Sequence, residues 1–276
     1  MVEKKIKKFY TIGQIDATGV RGPHEKELED MGRAKVSLFI DLKYGKLKEI
    51  VEKDLGAKLE DIGFDENWTI TLEFFPKANI HLSYFYYGDE FGDVEAKFRF
   101  LFSGERVYWI PGEDSATYID IIFDFIERRI KNKPPYDKSY NTTTDLMKKV
   151  FKQRKKPFKL LKDNDKRPLE EFINGKVWKT TNGWRFKKEV FPEVFIEVTY
   201  NQDKEDLTIS YSGENLEKMG SYHLELIGIF LINHILRYIT ISNQDEDLPD
   251  ICYMMFSRLL TKEKGWIYRK LEGLEY

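Results

Sequence analysis

Cysteine is almost absent: Cys252 stands alone in 276 residues. One thiol makes no internal disulfide and supplies neither a cysteine zinc site nor an iron–sulfur cluster. It suits a reducing compartment, and beside Tyr253, Met254 and Met255 it reads as a small buried hydrophobe. Histidine is scarce too. His24, His81, His223 and His234 show no metal-ligand spacing with one another or with Cys252, so neither metal nor cofactor is expected. His81 alternates with Ile80 and Leu82 and is expected on an exposed strand face, whereas His234 is expected as a hydrogen-bonded helix residue.

Excess charge of either sign is missing as well. A net charge of −2 leaves no global field to steer nucleic acid or a membrane surface. The first ten residues are charged and lack the apolar run of a signal peptide. The most apolar stretch, Leu224 to Ile241, contains Glu225, Asn233, His234 and Arg237, and is expected to be a buried helix, too short and too polar to span a bilayer. The expectation is a soluble cytoplasmic protein. Thr18-Gly19-Val20-Arg21-Gly22 is followed by no GK[ST], so it reads as a loop, and no Ser/His/Asp or Cys/His arrangement can be named.

Aromatic residues, in contrast, reach 15% of the chain and exclude wholesale disorder. They mark an internal repeat. Trp68 leads to Phe75-Pro76, and Trp184 leads to Phe191-Pro192, each pair 116 positions apart. Ile80, Leu82 and Tyr84 then alternate as Ile196, Val198 and Tyr200 do, the period of a half-buried strand. After a polar turn, Phe98, Phe100 and Phe102 correspond to Leu207, Ile209 and Tyr211, and Ser103-Gly104-Glu105 to Ser212-Gly213-Glu214. A helix closes each copy: Ser115 to Ile130 with Asp114 as its cap, and Tyr222 to Ile241 with Ser221 as its cap. Lys188 interrupts the alternation of Trp184, Phe186 and Val190, which suggests an edge strand.

The pattern predicts an α+β fold of two degenerate βββα units with helical segments at both ends. The expected divisions are a helical segment over 1–67, copy one over 68–130, a basic linker over 131–167, copy two over 168–241 and a helical tail over 242–276. Within the first segment, Pro23 opens one helix, and Lys46 to Leu55 forms a second that Gly56 stops. The tail should carry a helix from Pro249 to Thr261 and a segment, Trp266 to Leu271, that packs back on the body.

Three groups of residues are candidates for function. The linker carries 13 Lys or Arg against 4 Asp, a net charge of +9. Its expected short helix, capped by Thr144 and striped with Leu146, Met147, Val150 and Phe151, presents Lys148, Lys149, Lys152, Arg154, Lys155 and Lys156 to an anion or a nucleic acid. As a solvated linker, its lysines would instead balance acidic neighbours. Asp89 and Glu90 in the copy-one turn, with Glu113 and Asp114 at the following helix start, form a carboxylate set that an acid–base or metal-dependent enzyme could use. Asp120, Asp124 and Glu127 recur at helical spacing and read as a solvated face.

Phe75-Pro76, Gly88-Asp89-Glu90-Phe91, Phe100-Leu101-Phe102 and Tyr108-Trp109-Ile110-Pro111-Gly112-Glu113-Asp114 resemble an uncharacterised prokaryotic family common in anaerobes and archaea. That family is marked by a Gly-Asp-Glu-Glu-Phe-Pro motif, a Leu-Phe-Asp strand and a Leu-Pro-Thr-Glu-Asp helix start. The resemblance covers residues 75–125 and implies no established activity.

With no catalytic constellation and with Tyr86, Tyr87 and Tyr108 available for contact, the first expectation is a non-enzymatic binding or accessory protein. It would use its sheet faces or the groove between copies for a protein or small-molecule partner. Nucleic-acid binding through residues 131–167 and a carboxylate-based enzyme are the alternatives. Copy one, which holds the acidic turn and the Glu113-Asp114 pair, is expected to be the working half.

Overall fold

Both alternating stretches fold as antiparallel meanders. The structure, a computed structural model, describes residues 8–16, 21–88, 95–136, 140, 143–243, 246–254, 260–261 and 265–266; for residues 21, 95, 254, 260–261 and 265–266 it describes the backbone alone. The chain divides after Lys131 into two compact units. In unit 1 the order is α1 (Ile12–Ile15), α2 (Arg21–Lys35), α3 (Tyr44–Lys48, continued by a π turn over Glu49–Asp54), β1 (Lys58–Glu60), β2 (Trp68–Phe75), β3 (Ala78–Gly88), β4 (Glu95–Ser103) and α4 (Gly112–Ile130). Unit 2 runs α5 (Asp145–Arg154), α6 (Lys166–Ile173), β5 (Lys176–Thr180), β6 (Gly183–Phe191), β7 (Val194–Asn201), β8 (Asp206–Ser212), α7 (Ser221–Ser242), α8 (Asp250–Met254), then the short pair β9 (Leu260–Thr261) and β10 (Gly265–Trp266).

The fold is α+β, with sheet orders β1-β2-β3-β4 and β5-β6-β7-β8. Each sheet has one strand more than the alternation predicts. β1 and β5 cover three and five residues, too few to show a period. Their presence also moves β6 inside its sheet, so Lys188 is not on an edge strand. Its Nζ instead donates to the carbonyl of Ile173, 2.6 Å away at the end of α6, and satisfies a helix-terminal acceptor.

The shared landmarks have a common structural cause. Pro76-Lys77 and Pro192-Glu193 each turn a two-residue hairpin. Proline sits at the first corner and a positive φ at the second, 69° at Lys77 and 57° at Glu193, the features of a type II turn. Gly104 and Gly213 then pass against the turn's carbonyl. A Cβ on either would stand 2.1 Å from the Lys77 oxygen or 2.0 Å from the Glu193 oxygen. Those oxygens accept from Arg106 N at 3.0 Å and Asn215 N at 3.2 Å, which locks the exit of β4 and β8 to the hairpin. The glycine of each Ser-Gly-Glu is therefore required by contact and by its positive φ (116° and 128°).

The helices start earlier than their sequence signals. α4 begins at Gly112 behind Pro111, so Asp114 lies within the first turn and is not the cap. The cap carboxylate is Asp16, fully buried, whose Oδ1 accepts from Gly112 N at 3.0 Å and whose Oδ2 lies 2.6 Å from His24 Nδ1. α7 begins at Ser221 behind Gly220 and runs 22 residues, longer than its apolar core suggests. By length and composition it is the one helix among the described residues able to cross a membrane. Within its most apolar window 89% of residues are buried in the protein, which makes it a core helix. Toward the C-terminus, Leu260–Thr261 is strand and not the end of a helix from Pro249, while 267–271 lie outside the described residues.

The two sheets differ in what covers them. In unit 1, Trp68, Tyr84 and Phe98 are direct cross-strand neighbours, with Trp68 stacked on Tyr84 at 4.7 Å. This aromatic face meets α4 through Phe123, 5.1 Å from Phe98. The reverse face is covered too. Phe9 packs edge-on to His81 at 5.1 Å and to Phe64 at 5.3 Å. His81, expected to be exposed, is fully buried between Thr71 Oγ1 (2.8 Å from Nδ1) and Ser103 Oγ (2.8 Å from Nε2). In a neutral imidazole one nitrogen donates and the other accepts, so both hydroxyls pair with the ring. Beside it Glu66 accepts from Ile62 N, Phe64 N and Thr69 Oγ1 at 2.6, 2.8 and 3.0 Å. Burial alone would raise its pKa, but these donors outweigh burial and lower it. In unit 2 the inner sheet face, with Trp184, Phe186, Val198 and Tyr200, is buried, and the other face is not.

A candidate binding face on the second sheet

Antiparallel sheets commonly keep one face in solvent, and polar residues normally line it. The open face of unit 2 adds two aromatic rings to such a polar lining. Lys176 and Trp178 from β5, Arg185 and Lys187 from β6, and Phe195 and Glu197 from β7 lie on it together, because every second residue of a strand points to the same side. Lys176 and Lys187 are direct cross-strand partners. Like charges placed so destabilise a sheet. Neither lysine has an ion-pair partner among the described residues.

The rings are held by cations. Lys187 Nζ lies 4.5 Å from the Phe195 ring centre and the Arg185 guanidinium 5.4 Å from that of Trp178, while Arg185 also pairs with Glu197 at 3.2 Å. A concavity of about 500 Å³ opens among Lys176, Trp178, Lys187, Glu189 and Phe195. Glu189 is turned toward the hairpin, where its Oε1 accepts from Glu193 N at 2.9 Å. The site thus offers two half-buried rings and two lysines that are cross-strand partners.

Sequence-level candidates fall elsewhere. Asp89 and Glu90 lie outside the described residues. Glu113 is exposed and Asp114 half-buried in the first turn of α4, opposite the expectation of a cap. At the spacing that matches the two helix starts, their counterparts in unit 2 are Tyr222 and His223. Tyr86 and Tyr87 are exposed, and Tyr108 is half-buried. No group of three His, Cys, Asp or Glu with metal-binding placement occurs among the described residues.

The basic segment is folded into unit 2. Thr144 caps α5 by accepting from Met147 N at 3.2 Å, and Met147, Val150 and Phe151 are buried, whereas Leu146 is 40% exposed. Lys148 pairs with Asp145 at 3.0 Å, Lys159 with Glu205 at 2.6 Å and Lys162 with Glu246 at 3.7 Å. The hydrogen bond from Lys159 lowers the Glu205 pKa, with Lys155 and Lys156 adding to it. Lys149 and Lys152 are exposed, and Arg154 is half-buried. In unit 1, Glu127 is likewise engaged by Lys131 and Lys35, each at 2.7 Å, and Asp120 alone of its stripe is exposed.

No protein-family model, curated protein or solved structure matches the chain.

Proposed function

We propose that this chain is a non-enzymatic binding protein of the cytoplasm whose working surface is the open face of β5–β7. The ligand is an anion carrying a planar ring, of the nucleotide type. The observation that carries this reading is the placement of Lys176 opposite Lys187 between Trp178 and Phe195. A phosphate would relieve the repulsion between the lysines, and a base would stack on the rings. This moves the working half from unit 1 to unit 2, since the matching face of unit 1 is closed over His81.

Trp178 gives the readout. Titration with adenosine monophosphate and with a short oligodeoxythymidine at low salt should quench tryptophan fluorescence, with a response that weakens as salt rises. Binding of both probes marks a single-nucleotide site, and binding of the oligonucleotide alone marks a strand. If neither binds, the reading fails. Lys176→Gln should abolish the response, whereas Lys149→Gln and Lys152→Gln on α5 should not; the reverse would place nucleic-acid binding on the basic segment.

A further inference from the structure

A second cavity in unit 2 has the opposite character. It measures about 340 Å³ and lies where the starts of α5 and α7 meet β8. Glu225, on the first turns of α7, is 4% exposed and lines it. The Thr144 hydroxyl donates to Glu225 Oε1. No lysine, arginine or histidine pairs with this carboxylate among the described residues, and it is the one charged group in the wall. Burying a carboxylate without a cation is costly, and a single neutral hydrogen bond offsets only part of that cost.

The rest of the wall is amphipathic. Met147 and Ile209 provide an apolar floor, and Ile209 is drawn in because Gly228 leaves room for it; a Cβ on Gly228 would stand 2.3 Å from Ile209 Cδ1. Tyr211 and Tyr222 supply rings. Burial, and then the Glu225 charge, raise the Tyr211 pKa, so its phenol stays protonated and adds no second negative charge. One carboxylate among hydroxyls is a poor set for a hard divalent cation, which gathers about six oxygen ligands. It suits an ammonium group, which needs one counter-charge, hydrogen-bond acceptors and aromatic faces.

We propose that this cavity binds a small amphipathic amine, with its ammonium group on Glu225 and its apolar body against Met147 and Ile209. The site is separate from the open sheet face and does not depend on it. The test is calorimetric titration of the full chain with three probes of one shape: phenethylamine, phenethyl alcohol and phenylacetate. Phenethylamine should bind best, and Glu225→Gln, which keeps an acceptor for Thr144, should weaken it about tenfold or more. Equal binding of the alcohol or the acid by the wild-type protein, or no binding of the amine, overturns the proposal even if the variant fails to fold. An unchanged amine affinity in a folded Glu225→Gln protein overturns it as well.

Discussion

Lys176 and Lys187 face each other directly across β5 and β6, two ammonium groups on the open side of a sheet with no carboxylate between them. A sheet optimised for stability would place opposite charges there. Lys176→Glu, on the edge strand where Lys187 is its one cross-strand partner, should therefore raise resistance to urea by about 0.2–1 kcal/mol, the range of cross-strand pairs. The same change should remove nucleotide-type binding. A variant that gains stability and retains binding would separate the lysines from the ligand.

The glycines that close each hairpin corner should resist replacement. Gly104→Ala and Gly213→Ala each put a methyl group about 2 Å from a carbonyl oxygen at a positive φ. Each should cost about 2 kcal/mol or more in chemical unfolding. Gly45→Ala is the control: it lies in α3 with open space around it and should stabilise by about 0.5–1 kcal/mol.

Acid should weaken unit 1 through Glu127. Hydrogen bonds from Lys131 and then Lys35 pull its pKa from 4.5 down to about 2. A depressed carboxylate contributes stability that is complete above the unfolded value and lost as pH falls through the folded one. The loss should span the window from about 4.5 to about 2. Lys131 is half in solvent, which screens the pair, so Glu127→Gln should cost about 1–2 kcal/mol at neutral pH and flatten the acid limb of the stability curve. Denaturant melts at stepped pH will show both effects.

Cys252 should report unfolding of unit 2. It is fully buried, and burial raises its thiol to about 11. The native protein should resist alkylation at neutral pH, with labelling appearing only as fast as the unit opens. Rapid modification under native conditions would mean that α8 opens on its own.

The strands that alternate over several residues are legible in the sequence alone, and so are the turns and the closing glycines, because each is dictated by local chemistry. What escapes a sequence reading depends on distant parts of the chain. His81 and Glu197 hold matching positions, yet only His81 is buried, because Phe9 and Phe64 cover one sheet and nothing equivalent among the described residues covers the other. Asp16 caps α4 across 96 positions of sequence, which no motif at Gly112 could signal. The binding face is invisible in the sequence because Lys176 and Trp178 belong to a strand too short to announce itself, and only its pairing with β6 brings them to Lys187. Glu225 is visible as a blemish in an apolar run; its cavity is not.

The main chain of Tyr10 exchanges both of its hydrogen bonds with Phe102, at 2.9 Å each, on the outer side of β4. That contact makes the segment ahead of α1 a guard on an aromatic rim. β4 carries Phe98, Phe100 and Phe102, and a bare strand of that composition is a template for another chain. Trimming the protein back to α1 would thus do more than loosen unit 1. It would bare the Phe102 main chain at the β4 edge and lengthen the stretch able to recruit copies of the protein, and the first symptom would be concentration-dependent clumping and not loss of binding.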